Sequence, residues 1–166
     1  MLYTSAQANK LLKQLQEDYR LLVANESMSR TFIAATNEDL ESARPAYDYD
    51  QTQQALRDLQ AKVRKIKHAI NVFNTTHVVE GFDLTVDQML VYIPQLSECK
   101  NRLAYMANVL PKNRLSTNGG ALIEYEYTNY DPEKVKADLA AVSDELNRAQ
   151  LALDKLNQTE LMEIDL

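Results

Sequence analysis

Residues 49–73, YDQTQQALRDLQAKVRKIKHAINVF, decide how the chain is built. Large apolar residues fall at Leu56, Leu59, Val63, Ile66, Ile70 and Phe73, a 3-4-3-4-3 spacing with nearly everything between them polar or charged. Side chains three and four apart lie over one another on an α-helix, so the pattern draws a single narrow stripe. A helix with such a stripe has a wide solvated face and needs a partner of similar length to close the seam. The last helical stretch offers one, because Val135, Leu139, Val142, Leu146, Ala149, Leu153 and Leu156 repeat at 4-3-4-3-4-3. The two seams are expected to pack together.

Upstream, residues 4–24 carry Ala8, Leu11, Leu12, Leu15, Tyr19, Leu22 and Val23 largely on one side. Thr4 or Ser5 can cap this helix, and Asn25 can end it because asparagine tolerates the left-handed conformation. Residues 30–36 break the helical period and read as a short strand. Residues 37–50 are acidic, contain Pro45, and read as a surface loop. The central helix runs over about 50–74, with Asp48 or Asp50 as its cap.

Downstream, Gly81 marks a turn, and Thr85-Val86-Asp87-Gln88 matches a capping box, which opens a third helix over about 86–110. Pro94 falls within its early turns, where the missing N–H and the ring clash predict a kink or a late start. Residues 121–128 alternate Ile123, Tyr125 and Tyr127 with Glu124, Glu126 and Thr128, a strand with one aromatic and one acidic face. The tyrosines are expected to pack on helix ends. Asp131-Pro132-Glu133 places a cap, a proline at the first helical position and an acid at the positive end of the helix dipole. The fourth helix then covers about 132–157, and the acidic stretch 160–165 reads as a frayed tail.

Few glycines and prolines, three and four, with 45% apolar and 25% charged residues, fit one mainly α domain over 1–166. The expected architecture is an elongated antiparallel four-helix bundle of coiled-coil-like hairpins. A two-stranded β element, joining 30–36 to 121–128, should cap one end. Because each seam uses two positions in seven, further burial by self-association is expected, so a homo-oligomer or an unidentified protein partner follows.

The function classes narrow by charge and motif. A net charge of −6 argues against general nucleic-acid binding. Arg57, Lys62, Arg64, Lys65 and Lys67 form a locally basic run, expected to face Asp138, Asp144, Glu145 and Asp154 across the seam. A lone Cys99 gives no internal disulfide, and no run approaches the ~20 apolar residues of a membrane span, so a cytoplasmic protein without stable membrane insertion is expected. Gly119-Gly120 precede a strand, the reverse of a phosphate loop. His68, His77 and Cys99 have no metal-ligand spacing, and no cofactor or catalytic set is expected.

The run Ile70-Asn71-Val72-Phe73-Asn74-Thr75, then Gly81, then Leu84-Thr85-Val86-Asp87, resembles a junction in a family of small bacterial proteins labelled septicolysin. The stretch 122–128, the heptad helix after it and Thr159-Glu160-Leu161 are similar to that family too, although Phe82 and Pro94 depart from it. The resemblance implies a helical-hairpin protein without an established biochemical role. Its label suggests a cytolysin, but no apolar helix or long amphipathic strand for crossing a bilayer is visible. The leading expectation is a non-enzymatic helical scaffold that self-associates. A membrane-active protein is the alternative, and a metal-dependent enzyme using loop carboxylates or His77 is the weaker one.

Overall fold

A computed structural model describes residues 1–115 and 123–166. The protein is mainly helical, with two thirds of those residues in five helices. The described residues divide into two compact units, 1–76 with 157–166 and 77–156.

In the first unit, α1 (Ser5–Ser29) and α3 (Tyr49–Thr76) run antiparallel, with the short α2 (Leu40–Ala43) in the link between them. Thr4 caps α1 in a full capping box with Gln7. Asp48 caps α3 by accepting from the Gln51 N–H at 2.9 Å. The helix α1 passes Asn25 and continues to Ser29 because Glu26 is tied to the opposite strand of the hairpin. Its carboxylate accepts from the Tyr47 hydroxyl at 3.0 Å and from Gln53 Nε2 at 2.6 Å. Residues 30–36 form no strand. Their backbone goes instead into a turn, in which Glu38 N–H donates to the Ala35 carbonyl and Ala35 N–H to the Glu38 carboxylate, each at 3.0 Å.

A ribbon closes the base of this unit. β1 (Leu2–Thr4) pairs antiparallel with β6 (Leu161–Glu163), and β6 lies against α3. Met162 and Ile164 are buried, while Glu163 and Asp165 are exposed, so the stretch read as a frayed tail holds a strand at Leu161–Glu163. Alternation of two apolar and two acidic residues is the period-2 signal of a half-buried strand.

The seam of α3 has α1 and the β6 strand of the ribbon beside it within this unit. Ile66, Ile70 and Phe73 are buried near the base and Leu56 further out, with Leu59 and Val63 only half-buried. On α1 the buried residues are Ser5 and Ala8 alone.

In the second unit, β2 (Val78–Val79) and β3 (Leu84–Thr85) make a hairpin that leads into α4 (Val86–Ala107). Gly81 has φ +84° and nothing within 4 Å of the position a Cβ would take, so glycine is needed there for its backbone conformation and not for space. The capping box of Thr85 and Gln88 starts α4 on schedule, and the helix continues through Pro94. The hydrogen bond lost at Pro94 leaves the Leu90 carbonyl on an exposed turn, where water can satisfy it. Asn108 ends the helix short of Pro111, its side chain donating to the Ala104 carbonyl at 2.8 Å.

β4 (Lys112–Arg114) and β5 (Tyr125–Tyr127) pair antiparallel, which corrects the expected pairing of 121–128 with 30–36. A partner just upstream in the chain costs less loop-closure entropy than one about 90 residues away. Ala121 and Leu122 of the expected strand, and Gly119-Gly120, lie outside the described residues. Asp131 caps α5 (Pro132–Thr159) through the Glu133 N–H at 2.9 Å. The core of this unit comprises Val79, Val86, Met89, Leu96, Leu103, Val135, Leu146, Ala149 and Leu153. Tyr92 of α4 donates to Glu145 of α5 at 2.5 Å, and the Tyr130 hydroxyl reaches the Met106 carbonyl at 2.8 Å.

Candidate interaction surface

The thirteen seam residues are buried or half-buried. Leu56, Ile66, Ile70 and Phe73, and Val135, Leu146, Ala149 and Leu153, are buried. Leu59, Val63, Leu139, Val142 and Leu156 are half-buried. A docking surface would use the half-buried part of a seam and the side chains beside it.

The α1–α3 pair has such a surface. A groove of ≈ 550 Å³ runs between the helices, lined by Gln16, Tyr19 and Arg20 of α1 and Gln60, Val63 and Arg64 of α3. Gln60 Nε2 donates to the Tyr19 hydroxyl at 3.0 Å across it. The linings sit at i, i+3 and i+4 on each helix, and the same helical faces carry Lys13, Arg57 and Lys67. Arg20 pairs with Glu17 at 3.1 Å, both largely exposed. Among the described residues Arg64 and Lys67 take part in no ion pair.

The basic run is thus solvated, and two of its members have partners within the first unit. Arg57 donates to Gln54 at 3.0 Å, and Lys65 lies 3.9 Å from Asp165. Sequence reasoning missed the groove because Gln16, Tyr19 and Gln60 look like ordinary solvated flank.

At the tip, the acidic loop is only partly idle. Asp39 caps α2 through the Ser42 N–H at 3.1 Å, and Glu38 and Asp48 serve the turn and cap already described. Glu41 pairs with Arg44 at 3.0 Å, and the Arg44 guanidinium lies 5.8 Å from the Phe32 ring centre. Ile33, Leu40 and Tyr49 are exposed, Ile33 at 98%. Desolvation, and then the hydrogen bond to Glu26, push the Tyr47 phenol above its ordinary value.

In the second unit, the expected packing of the strand tyrosines is corrected. Tyr125 and Tyr127 are exposed, with the Lys112 ammonium 4.0 Å and 5.5 Å from their ring centres. Two residues apart, they share one side of a ribbon, and the cation between them takes the place of a helix end. Tyr130 alone is half-buried and bonded. The Tyr92 phenol is raised, first by its hydrogen bond to Glu145 and then by desolvation.

Residues suggestive of chemistry remain scattered. No three His, Cys, Asp or Glu side chains converge on a metal-sized site among the described residues. His68 is exposed, and Cys99 is half-buried with Arg102 Nη2 3.7 Å from its sulfur. No helix among the described residues is long and apolar enough to cross a membrane.

No protein-family model and no curated protein sequence matches the chain. A solved structure does: a conserved, functionally unknown protein from Corynebacterium diphtheriae, 14% identical, with a TM-score of 0.60 over 98% of this chain and 100% of that one. At that identity the likeness is one of fold alone.

Proposed function

We propose that the protein is a non-enzymatic helical scaffold, cytoplasmic, that acts by self-association through the α1–α3 pair. The observation that carries this reading is the state of α1. It lies along α3, yet beyond Ala8 none of its residues is buried. Leu11, Leu12, Leu15, Tyr19 and Leu22 are half-buried, and Val23 is exposed. A helix in a globular protein usually buries three or more positions in seven, so two helices alone leave this stretch short of a core.

Surface area supports the same reading. The chain exposes 12225 Å². Two separate compact globules of half its mass each would together expose about 10,000 Å², so the excess does not depend on how the units are arranged. A second α1–α3 pair laid against the first would complete a four-helix bundle, the arrangement in which narrow seams bury enough surface. The resemblance to septicolysin-like proteins fits a helical-hairpin scaffold.

Light scattering on the full chain tests this. A molar mass near twice the 18.9 kDa protomer, or a higher multiple, is expected at micromolar protein. A monodisperse protomer at the highest soluble concentration overturns the proposal.

A further inference from the structure

We propose, resting on that self-association reading, that the groove between α1 and α3 receives the acidic tip of the same hairpin in a second copy. The two hairpins then lie antiparallel about a two-fold axis, and each covers the other's groove.

Charge is sorted along the hairpin, basic beside the groove and acidic at the tip. The groove face carries Lys13, Arg20, Arg57, Arg64 and Lys67, with Glu17 at its edge engaged by Arg20. The tip, residues 37–50, carries Glu38, Asp39, Glu41, Asp48 and Asp50 against the single Arg44. A net negative protein with one basic face holds the complement of that face within its own sequence.

Apolar surface follows the same division. Tyr19 and Val63 line the groove floor, half-buried, while Leu40 and Tyr49 of the tip, and Ile33 just before it, are exposed. Aromatic and aliphatic groups ringed by opposite charges make the core and rim of a stable interface. The charges chiefly set register and orientation, and apolar burial supplies most of the affinity.

The lengths also agree. From Tyr19 in the groove to Met28 at the end of α1 is nine residues, or about 14 Å. A two-fold axis passing near Val23, halfway, brings each tip over the partner's groove. The contact is isologous and closes at two copies.

The test is a charge swap followed by sedimentation velocity on the full chain. One variant, Arg20→Glu with Arg64→Glu, reverses the groove. The other, Glu41→Lys with Asp50→Lys, reverses the tip and spares the capping residues Asp39 and Asp48. Each variant alone should dimerise at least about tenfold more weakly than wild type, because both contacts of its homodimer become like-charged. An equimolar mixture should recover the dimer, since both contacts of the heterodimer are again opposite in sign. Wild-type dimerisation should weaken with salt, a measurement independent of whether a variant folds.

A wild-type dimer that withstands both reversals and salt assigns the groove to another occupant and overturns this inference while leaving self-association standing. Weakened variants that fail to recover on mixing overturn it too. A wild-type monomer overturns both.

Discussion

The α1–α3 and α4–α5 pairs start from similar heptad seams and end in different states. In the second unit, burial is spread along both helices, at Val86, Met89, Leu96 and Leu103 on one and Val135, Leu146, Ala149 and Leu153 on the other. Tyr92 and Glu145 add a polar link part-way along. In the first unit, burial gathers at the base, where β6 lies against α3 and Ile66, Ile70 and Phe73 are buried, and thins towards the tip. The difference teaches that a seam fixes a helix and its inner side, while the elements around it decide whether the seam is filled. Where a ribbon or a well-stocked partner helix supplies side chains, the core is complete. Where α1 supplies Gln16, Tyr19 and Glu26, it is not.

The largest effect that could break this comparison is at the base. Phe73→Ala should cost about 3–5 kcal/mol in denaturant unfolding, as for a fully buried aromatic. Leu59→Ala, in the half-filled stretch, should cost well under half as much at protein concentrations below dimerisation. Equal costs would mean that the outward half of the pair is as well packed as the base.

A smaller effect sharpens the contrast in the second unit. Tyr92→Phe should cost about 1 kcal/mol at neutral pH, the usual net worth of one hydrogen bond. Because folding raises the Tyr92 pKa, its contribution is complete below the unfolded value of about 10 and is lost as pH rises through the higher folded value. Wild type and Tyr92→Phe should therefore converge in stability in an alkaline titration. A gap that persists or widens there would contradict the assigned link.

Much of this fold is legible in the sequence. The four long helices follow from apolar spacing, and the caps at Thr4, Asp48, Thr85 and Asp131 follow from residues whose side chains satisfy a helix's first amides. Pairing could not be read, because a 3-4 seam matches any other 3-4 seam and encodes no partner. Strand β6 carried its signal in Met162 and Ile164 alternating with Glu163 and Asp165, which acidity obscured. Strand β4 carried none: Lys112-Asn113-Arg114 has no apolar alternation and is placed by Tyr125 and Tyr127 on its partner. The basic run was visible as charge, but its neighbour across the groove, Gln16-Tyr19-Arg20, lies some 40 residues earlier, and only folding sets the two side by side.

The central claim, that a second copy covers the thin half of the α1–α3 pair, is tested most directly by hydrogen exchange in α1 as protein concentration is raised. Amides of Tyr19–Ser29 should slow with concentration while those of Ile66–Phe73, already closed at the base, stay unchanged. Exchange in Tyr19–Ser29 that is independent of concentration would contradict it.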